Sequence, residues 1–276
     1  MERYSGRIFD NHFHLNPKSN FLGAANIFKR SGGTTLNLTN LPSHDAITEY
    51  YRRLYDDTIR IGDLVHYELG LEMLITIGPY PFDYFFFERY GSDPVNEMMH
   101  GLDLAAKYIE DGKAEAIGEI GFPHVPQPES VMERFWEMLD YAMKIAHDVD
   151  APIVMHTYDL SCEDYAKIEK IAKVNGSVSV VKHHARPSDL TCNTGIARSV
   201  PASRSAVRKS LLLSRNFMLE TDFINDPIDA NRFLPPDSVP KRAQMILQEY
   251  DDGSEILNNI FNTIPESIYP KLKEKR

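Results

Sequence analysis

The stretch Ile8-Phe9-Asp10-Asn11-His12-Phe13-His14-Leu15 sets a carboxylate and two imidazoles at every second position near the amino terminus. Successive side chains of an extended strand point to opposite faces, which puts Asp10, His12 and His14 on one face and Asn11 and Phe13 on the other. His12 and His14 then lie roughly 7 Å apart along the strand, within convergent reach of one divalent cation. Groups of the same chemistry stand at the ends of other β-type runs: Glu119 in AEAIGEIG, His156 closing PIVMH, His183 and His184 closing SVSVVKHH, and Asp222 in FMLETDF. Buried carboxylates and imidazoles are costly unless paired or bound to a cation, so strand ends that converge on such groups point to a metal centre. One ion held by His, Asp and Glu takes three or four protein ligands. A set of about six groups suits two adjacent ions that share a bridging carboxylate.

The elements that must position these residues can be read in order. Short β-branched runs alternate with longer segments of helical periodicity, the pattern of parallel strands joined by crossover helices. The strands are RIFDNHFHL, TTLNLTNL, LEMLITIG, AEAIGEIG, PIVMH, SVSVVKHH, a short GIARSV and FMLETDF. Between them run FLGAANIFKR, a long helix from His44 to Leu69, one opened by Asp93-Pro94, one from Ser130 to Val149, one around CEDYAKIEKIAKV and one from Ser203 to Leu213. The last third is helical around Lys241 to Tyr250 and Ser254 to Asn262. Eight alternations in 276 residues, with no Ser/Gly linker or repeat, fit one barrel domain over residues 1–276. The expected fold is α/β, a distorted (β/α)8 TIM barrel, in preference to an open doubly wound sheet. Barrel active sites are built at the carboxyl ends of the strands, where the metal site is placed here.

Other chemistries find little support. No G-x-S-x-G elbow occurs, and Gly32-Gly33 lacks the Gly-Lys-Ser/Thr of a phosphate-binding loop. Cys162 and Cys192 match neither a redox pair nor a paired-cysteine zinc site and are read as reduced thiols. The opening MERYSGRIFDNHFH holds no signal-peptide run, and no stretch of about 18 apolar residues follows, so a cytoplasmic protein with no membrane partner is expected. A net charge of −10 argues against broad binding to a phosphate backbone. His44, His66, His100 and His147 fall on helices or at helix starts, as surface or packing residues.

The D-x-H-x-H of Asp10 to His14, the GEIG of Gly118 to Gly121, the P-I-V-x-H ending at His156, the histidine after strand six and the LETD of Leu219 to Asp222 occur in this order in one family. From Ile8 to about Pro240 the chain resembles the TatD-related metal-dependent hydrolases of the amidohydrolase superfamily, and SVPKRA is similar to their archaeal branch. The resemblance implies that His12 and His14 hold one metal, that Glu119 bridges, and that His156 and the strand-six histidine hold the second. It implies that Asp222 binds the first metal and acts as general base, with Asp10 and Glu220 orienting ligands from behind.

Strand six admits two assignments: alternation with Val178 and Val180 turned to the helices favours His183, and an Asp-His pattern that aligns with the pair favours His184, the preferred ligand. Two divalent ions are expected, zinc first, with manganese, nickel or magnesium compatible. Where relatives have G-x-H-P this chain has Gly78-Pro79-Tyr80-Pro81, and Phe122-Pro123-His124 follows GEIG, so Tyr80 and His124 become candidate substrate contacts. The aromatic run from Tyr80 to Tyr90 is either a substrate-facing loop or a hydrophobic anchor.

The implied reaction is hydrolysis by a metal-activated water. The substrate is single-stranded nucleic acid, as in a TatD-like deoxyribonuclease, or a small amide, lactone or phosphoester. A barrel that binds metal without catalysis is the alternative from a different class; it needs the ligands but no base.

Overall fold

The computed structural model describes residues 4–225 and 233–273. The first three residues of the amino-terminal stretch discussed above lie outside the described residues.

The first half alternates as the periodicity requires: β1 (Phe9–His14), α1 (Phe21–Arg30), β2 (Thr35–Thr39), α2 (Tyr50–Leu69), β3 (Glu72–Ile77), α3 (Asp83–Arg89), α4 (Pro94–Glu110), β4 (Ala116–Gly121) and α5 (Glu129–Asp148). There follow β5 (Ile153–His156), α6 (Cys162–Val174), β6 (Val180–Lys182), β7 (Ala197–Pro201), α7 (Arg204–Leu213), β8 (Met218–Glu220) and β9 (Phe223–Ile224). Among the described residues three further α-helices follow, α8 (Ser238–Glu249), α9 (Gly253–Asn258) and α10 (Ile264–Ile268). Their starts obey local chemistry. Asp93 accepts from the amides of Val95 and Asn96 ahead of a proline at the first helical position, and Ser161 and Asp164 cap α6 reciprocally.

Every strand pair is parallel, in the order β8-β7-β6-β5-β4-β3-β2-β1-β9. The expected eighth strand is split at Thr221-Asp222. Its first piece pairs with β7 and its second with β1, so the two ends of the curled sheet meet inside one short segment. Alternate residues feed different cores. Ile75, Ile117, Ile153, Met155 and Val180 pack with the surrounding helices, whereas Leu74, Ala116, Val154 and Val181 join Phe9 and the C-terminal Tyr269 on the inner side. Tyr269 meets Phe9 edge-on and donates its hydroxyl to Asn11 Oδ1 at 2.8 Å.

Four expectations change. Strict alternation in β1 fails, because the register against β2 slips between Asp10 and Phe13. Asn11 therefore joins Asn37 and Tyr269, and Asp10 turns to Thr221. The long helix begins at Tyr50, since His44 and Glu49 have positive φ and His44 is held at 2.7 Å by buried Asp83. The aromatic run is partly a helix, α3, that buries Tyr84, Phe86 and Phe87, while Tyr80, Phe82 and Phe85 are only half-buried.

The cysteines are the fourth change: Cys162 and Cys192 form a disulfide, with Cα atoms 5.2 Å apart. A short 3-10 turn, Pro187–Thr191, stands where a crossover helix would join β6 to β7, and it returns the chain to the start of α6. Buried Arg198 fixes this irregular stretch by donating to the carbonyls of Cys192 (2.8 Å) and Thr194 (3.0 Å). Spacing in sequence carries no sign of that proximity. Among the described residues no helix is long and apolar enough to cross a membrane.

Candidate metal centre

Two local slips in register aim the central side chains. One lies in β1 around His12; the other lies in β4, where Gly118 and Ile120 face consecutive residues of β5 and leave Glu119 as the extra residue. Such bulges re-aim side chains, and here each one carries a residue of the cluster. The glycines of GEIG are there for space. A Cβ on Gly118 would come within 2.6 Å of the Val154 carbonyl oxygen, and one on Gly121, whose φ is +140°, within 2.3 Å of the His156 carbonyl oxygen.

Glu119 lies at the middle. Its Oε1 contacts His12 Nε2 and is 3.3 Å from His14 Nε2, while its Oε2 is 3.3 Å from His156 Nδ1. Asp222 Oδ1 is 3.5 Å from His14 Nε2 and 3.8 Å from His12 Nε2. His183 Nε2 is 3.0 Å from His156 Nδ1 and 3.8 Å from Glu119 Oε1. Ligand-type atoms thus gather in two groups, His12-His14-Glu119-Asp222 and Glu119-His156-His183, with Glu119 common to both. A third gathering, His12-His183-Glu220, lies behind them.

The orientation of the rings suits cation binding. His14 donates Nδ1–H to the Thr39 carbonyl at 3.0 Å, which leaves Nε2 free to face the cluster. The Nδ1 of His183 lies 3.4 Å from Glu220 Oε1, so that a carboxylate stands behind the imidazole. Asp10 accepts from the Thr221 amide (2.9 Å), the Thr221 hydroxyl (2.8 Å) and the His12 amide (3.3 Å), tying the Asp222 turn to β1. Asp10 and Glu220 therefore stand one layer behind the cluster.

The electrostatics agree. Burial opposes a charged His14, but the carboxylates of Asp222 and Glu119 outweigh it and push this imidazole up to about 10. Burial and the neighbouring His12 push His183 well below its ordinary value. Burial alone would raise Glu119, but the imidazoles of His183 and His12 hold it well below the carboxylate range. The carboxylates of Glu119 and Asp222 favour positive charge at the His14 end. Lone pairs crowded this closely are the donor set of a divalent cation site.

The two histidines after strand six lie apart. His183 is buried and lies beside His156 and Glu119, on the same side as Val181, in accord with the alternation argument. His184, the preferred ligand from the aligned pattern, belongs to none of the three groups. Its φ of 51° takes the chain out of the strand, and its amide donates to Glu220. His183→Ala is expected to lower the metal content and His184→Ala to leave it unchanged, as read by elemental analysis after gel filtration.

The two candidate substrate contacts lie on the His156 side. His124 Nδ1 is 3.1 Å from His156 Nε2, and the Tyr80 ring meets His156 edge-on at 5.0 Å. Of the histidines read as packing residues, His44 holds Asp83 and His66 meets the Leu71 carbonyl. Two supporting groups near the cluster were not singled out from the sequence. The Thr39 carbonyl has no side-chain signal at all. Asn40, whose side chain grips both the amide (2.8 Å) and the carbonyl (3.2 Å) of Gly78, is signalled only by an amide residue at a strand end.

Comparison with known proteins agrees with this chemistry. The chain is 27% identical over 274 residues to the uncharacterized protein MJ1127 of Methanocaldococcus jannaschii, covering 95% of each. Its fold resembles a TatD-like protein from Archaeoglobus fulgidus (TM-score 0.63, 16% identity, 96% of this chain and 99% of that one). It also resembles the TatD homolog YJJV of Escherichia coli (0.63, 17%, 96% and 98%). An organophosphorus hydrolase from Deinococcus radiodurans shares the fold as well (0.58, 14%, 94% and 92%). The family model for TatD related DNase matches residues 9–270, so this metal-dependent hydrolase belongs to the TatD-related DNase family.

Proposed function

We propose that the curled sheet is a distorted (β/α)8 barrel, a single hydrolase domain spanning residues 1–276, with two divalent cations, zinc first, at the carboxyl ends of its strands. His12, His14 and Asp222 would hold one cation and His156 and His183 the other, with Glu119 between them. The observation that carries this reading is the division of Glu119, whose Oε1 faces the β1 histidines and whose Oε2 faces His156. Cations bound there lower the pKa of water toward neutrality and polarise the scissile bond.

The chain's own groups supply the rest. Asp222, the most accessible member of the cluster with 29% of its side chain exposed, takes the proton of the attacking water on Oδ. The Thr39 carbonyl and Glu220 keep the reactive nitrogens of His14 and His183 pointed inward. Tyr80 and His124 border the substrate beside His156.

The reaction proposed is phosphodiester hydrolysis of single-stranded nucleic acid. A second reading, hydrolysis of a small ester, lactone or amide, is favoured by the net charge of −10. Elemental analysis of protein purified without added metal is expected to find two equivalents per chain, and Glu119→Gln to lower both. A chain with no stoichiometric metal that takes up none on titration would refute the proposal. Assays on single-stranded DNA, phosphodiester, lactone and amide substrates with manganese or zinc distinguish the two readings.

A further inference from the structure

A cavity of about 340 Å³ opens beside Asp222, between the segments that follow β6, β7 and β8. Its walls are largely apolar: Pro187, Pro201, Ala206, Phe233 and Leu234. Small-molecule sites begin at about this size, with apolar walls and a few polar groups. Asp222 belongs both to this cavity and to the metal-type cluster, so whatever fills the one lies next to bond cleavage in the other. His184 forms part of the wall, which gives a place to the histidine that the cluster leaves out.

The polar groups here do not ask for an anion. The guanidinium of Arg186 is already held by Asp189 (2.9 Å), Asp159 (3.0 Å) and the Leu160 carbonyl (3.0 Å). The Ser203 hydroxyl caps α7 by accepting from the Ala206 amide at 3.1 Å. Among the described residues the carboxylate that faces the cavity is that of Asp222, 3.5 Å from His14 Nε2, and it repels a phosphate or carboxylate. An uncharged apolar group loses nothing by entering.

We propose that this cavity is the subsite for an uncharged alkyl or aryl group of the substrate, carried next to the bond that is cleaved, and that it sets specificity toward small apolar esters, lactones or phosphoesters. This assignment rests on the hydrolase centre proposed above and takes the second of its two readings, a small substrate. It is tested by titrating the metal-loaded full chain calorimetrically with methyl-, butyl- and hexylphosphonate, whose anionic head mimics the reacting group.

Affinity is expected to rise by about fourfold for each methylene until the cavity is filled. Ala206→Phe, which places a ring in the cavity from a half-buried position on α7, is expected to bring the hexyl-to-methyl affinity ratio close to one. A flat series in the wild-type chain, with methylphosphonate still bound, would overturn the subsite and leave the metal centre standing. Tighter binding of a phosphonate whose chain ends in a carboxylate would overturn it also, by showing that the cavity accepts an anion. A chain that holds no metal sinks the centre itself, and the subsite falls with it.

Discussion

Asp222→Asn is expected to lower kcat by about 10³, within the range that a positioned general base contributes, while the His156-His183 end of the cluster keeps its metal. The substitution preserves shape and hydrogen-bonding oxygen but removes the basic site that receives the proton of water. Two readouts separate the roles of this residue. Turnover reports the base, and metal stoichiometry reports the ligand. A scaffold or sensor that binds metal without catalysis needs the second only, so its activity in any binding assay would survive the change. A variant that keeps its full metal content and hydrolyses at the wild-type rate would remove Asp222 from the reaction. The backbone of residue 222 should hold its position, since its amide donates to the His12 carbonyl at 3.0 Å whatever the side chain.

Reduction of the Cys162–Cys192 bridge is expected to cost about 3.6 kcal/mol of stability. The two cysteines are 30 residues apart, and opening a loop of that length returns about this much chain entropy to the unfolded state. For a chain of this size the loss corresponds to a fall in Tm of about 6 °C. Cys162→Ser should show the same fall, measured by thermal denaturation at equal metal content. The enclosed segment includes β6 and His183, so the metal content of the reduced chain is informative in its own right. Equal melting temperatures with and without reductant, with two thiols titrating in the oxidised sample, would show that the bridge does not form.

The sequence disclosed the elements that are periodic and the residues that are chemically unusual. The α1, α4 and α7 helices follow from their apolar stripes and caps, and the cluster follows from His, Glu and Asp at strand ends where apolar residues would ordinarily sit. What it concealed is what depends on small departures from regularity. The slip of register in β1 overrode the strict alternation assigned to Asn11 and Asp10. The left-handed backbone at His184 takes it away from the cluster that its neighbour His183 joins. The disulfide needed the 3-10 turn after β6, which no local propensity announces. In each case a local backbone conformation set where a side chain points, and for the cysteines it overturned their reading as reduced thiols.

The split between β8 and β9 couples folding to chemistry. Thr221-Asp222 is the seam at which the two ends of the sheet meet, and Asp10 stitches that seam by accepting from both the amide and the hydroxyl of Thr221. A chain in which this last junction has not yet docked would already own the imidazoles and Glu119, yet would lack its proton acceptor. On the function proposed above, such a form would lack the group that takes the proton of water, and turnover would report that Asp10 and Thr221 have joined the two ends of the sheet.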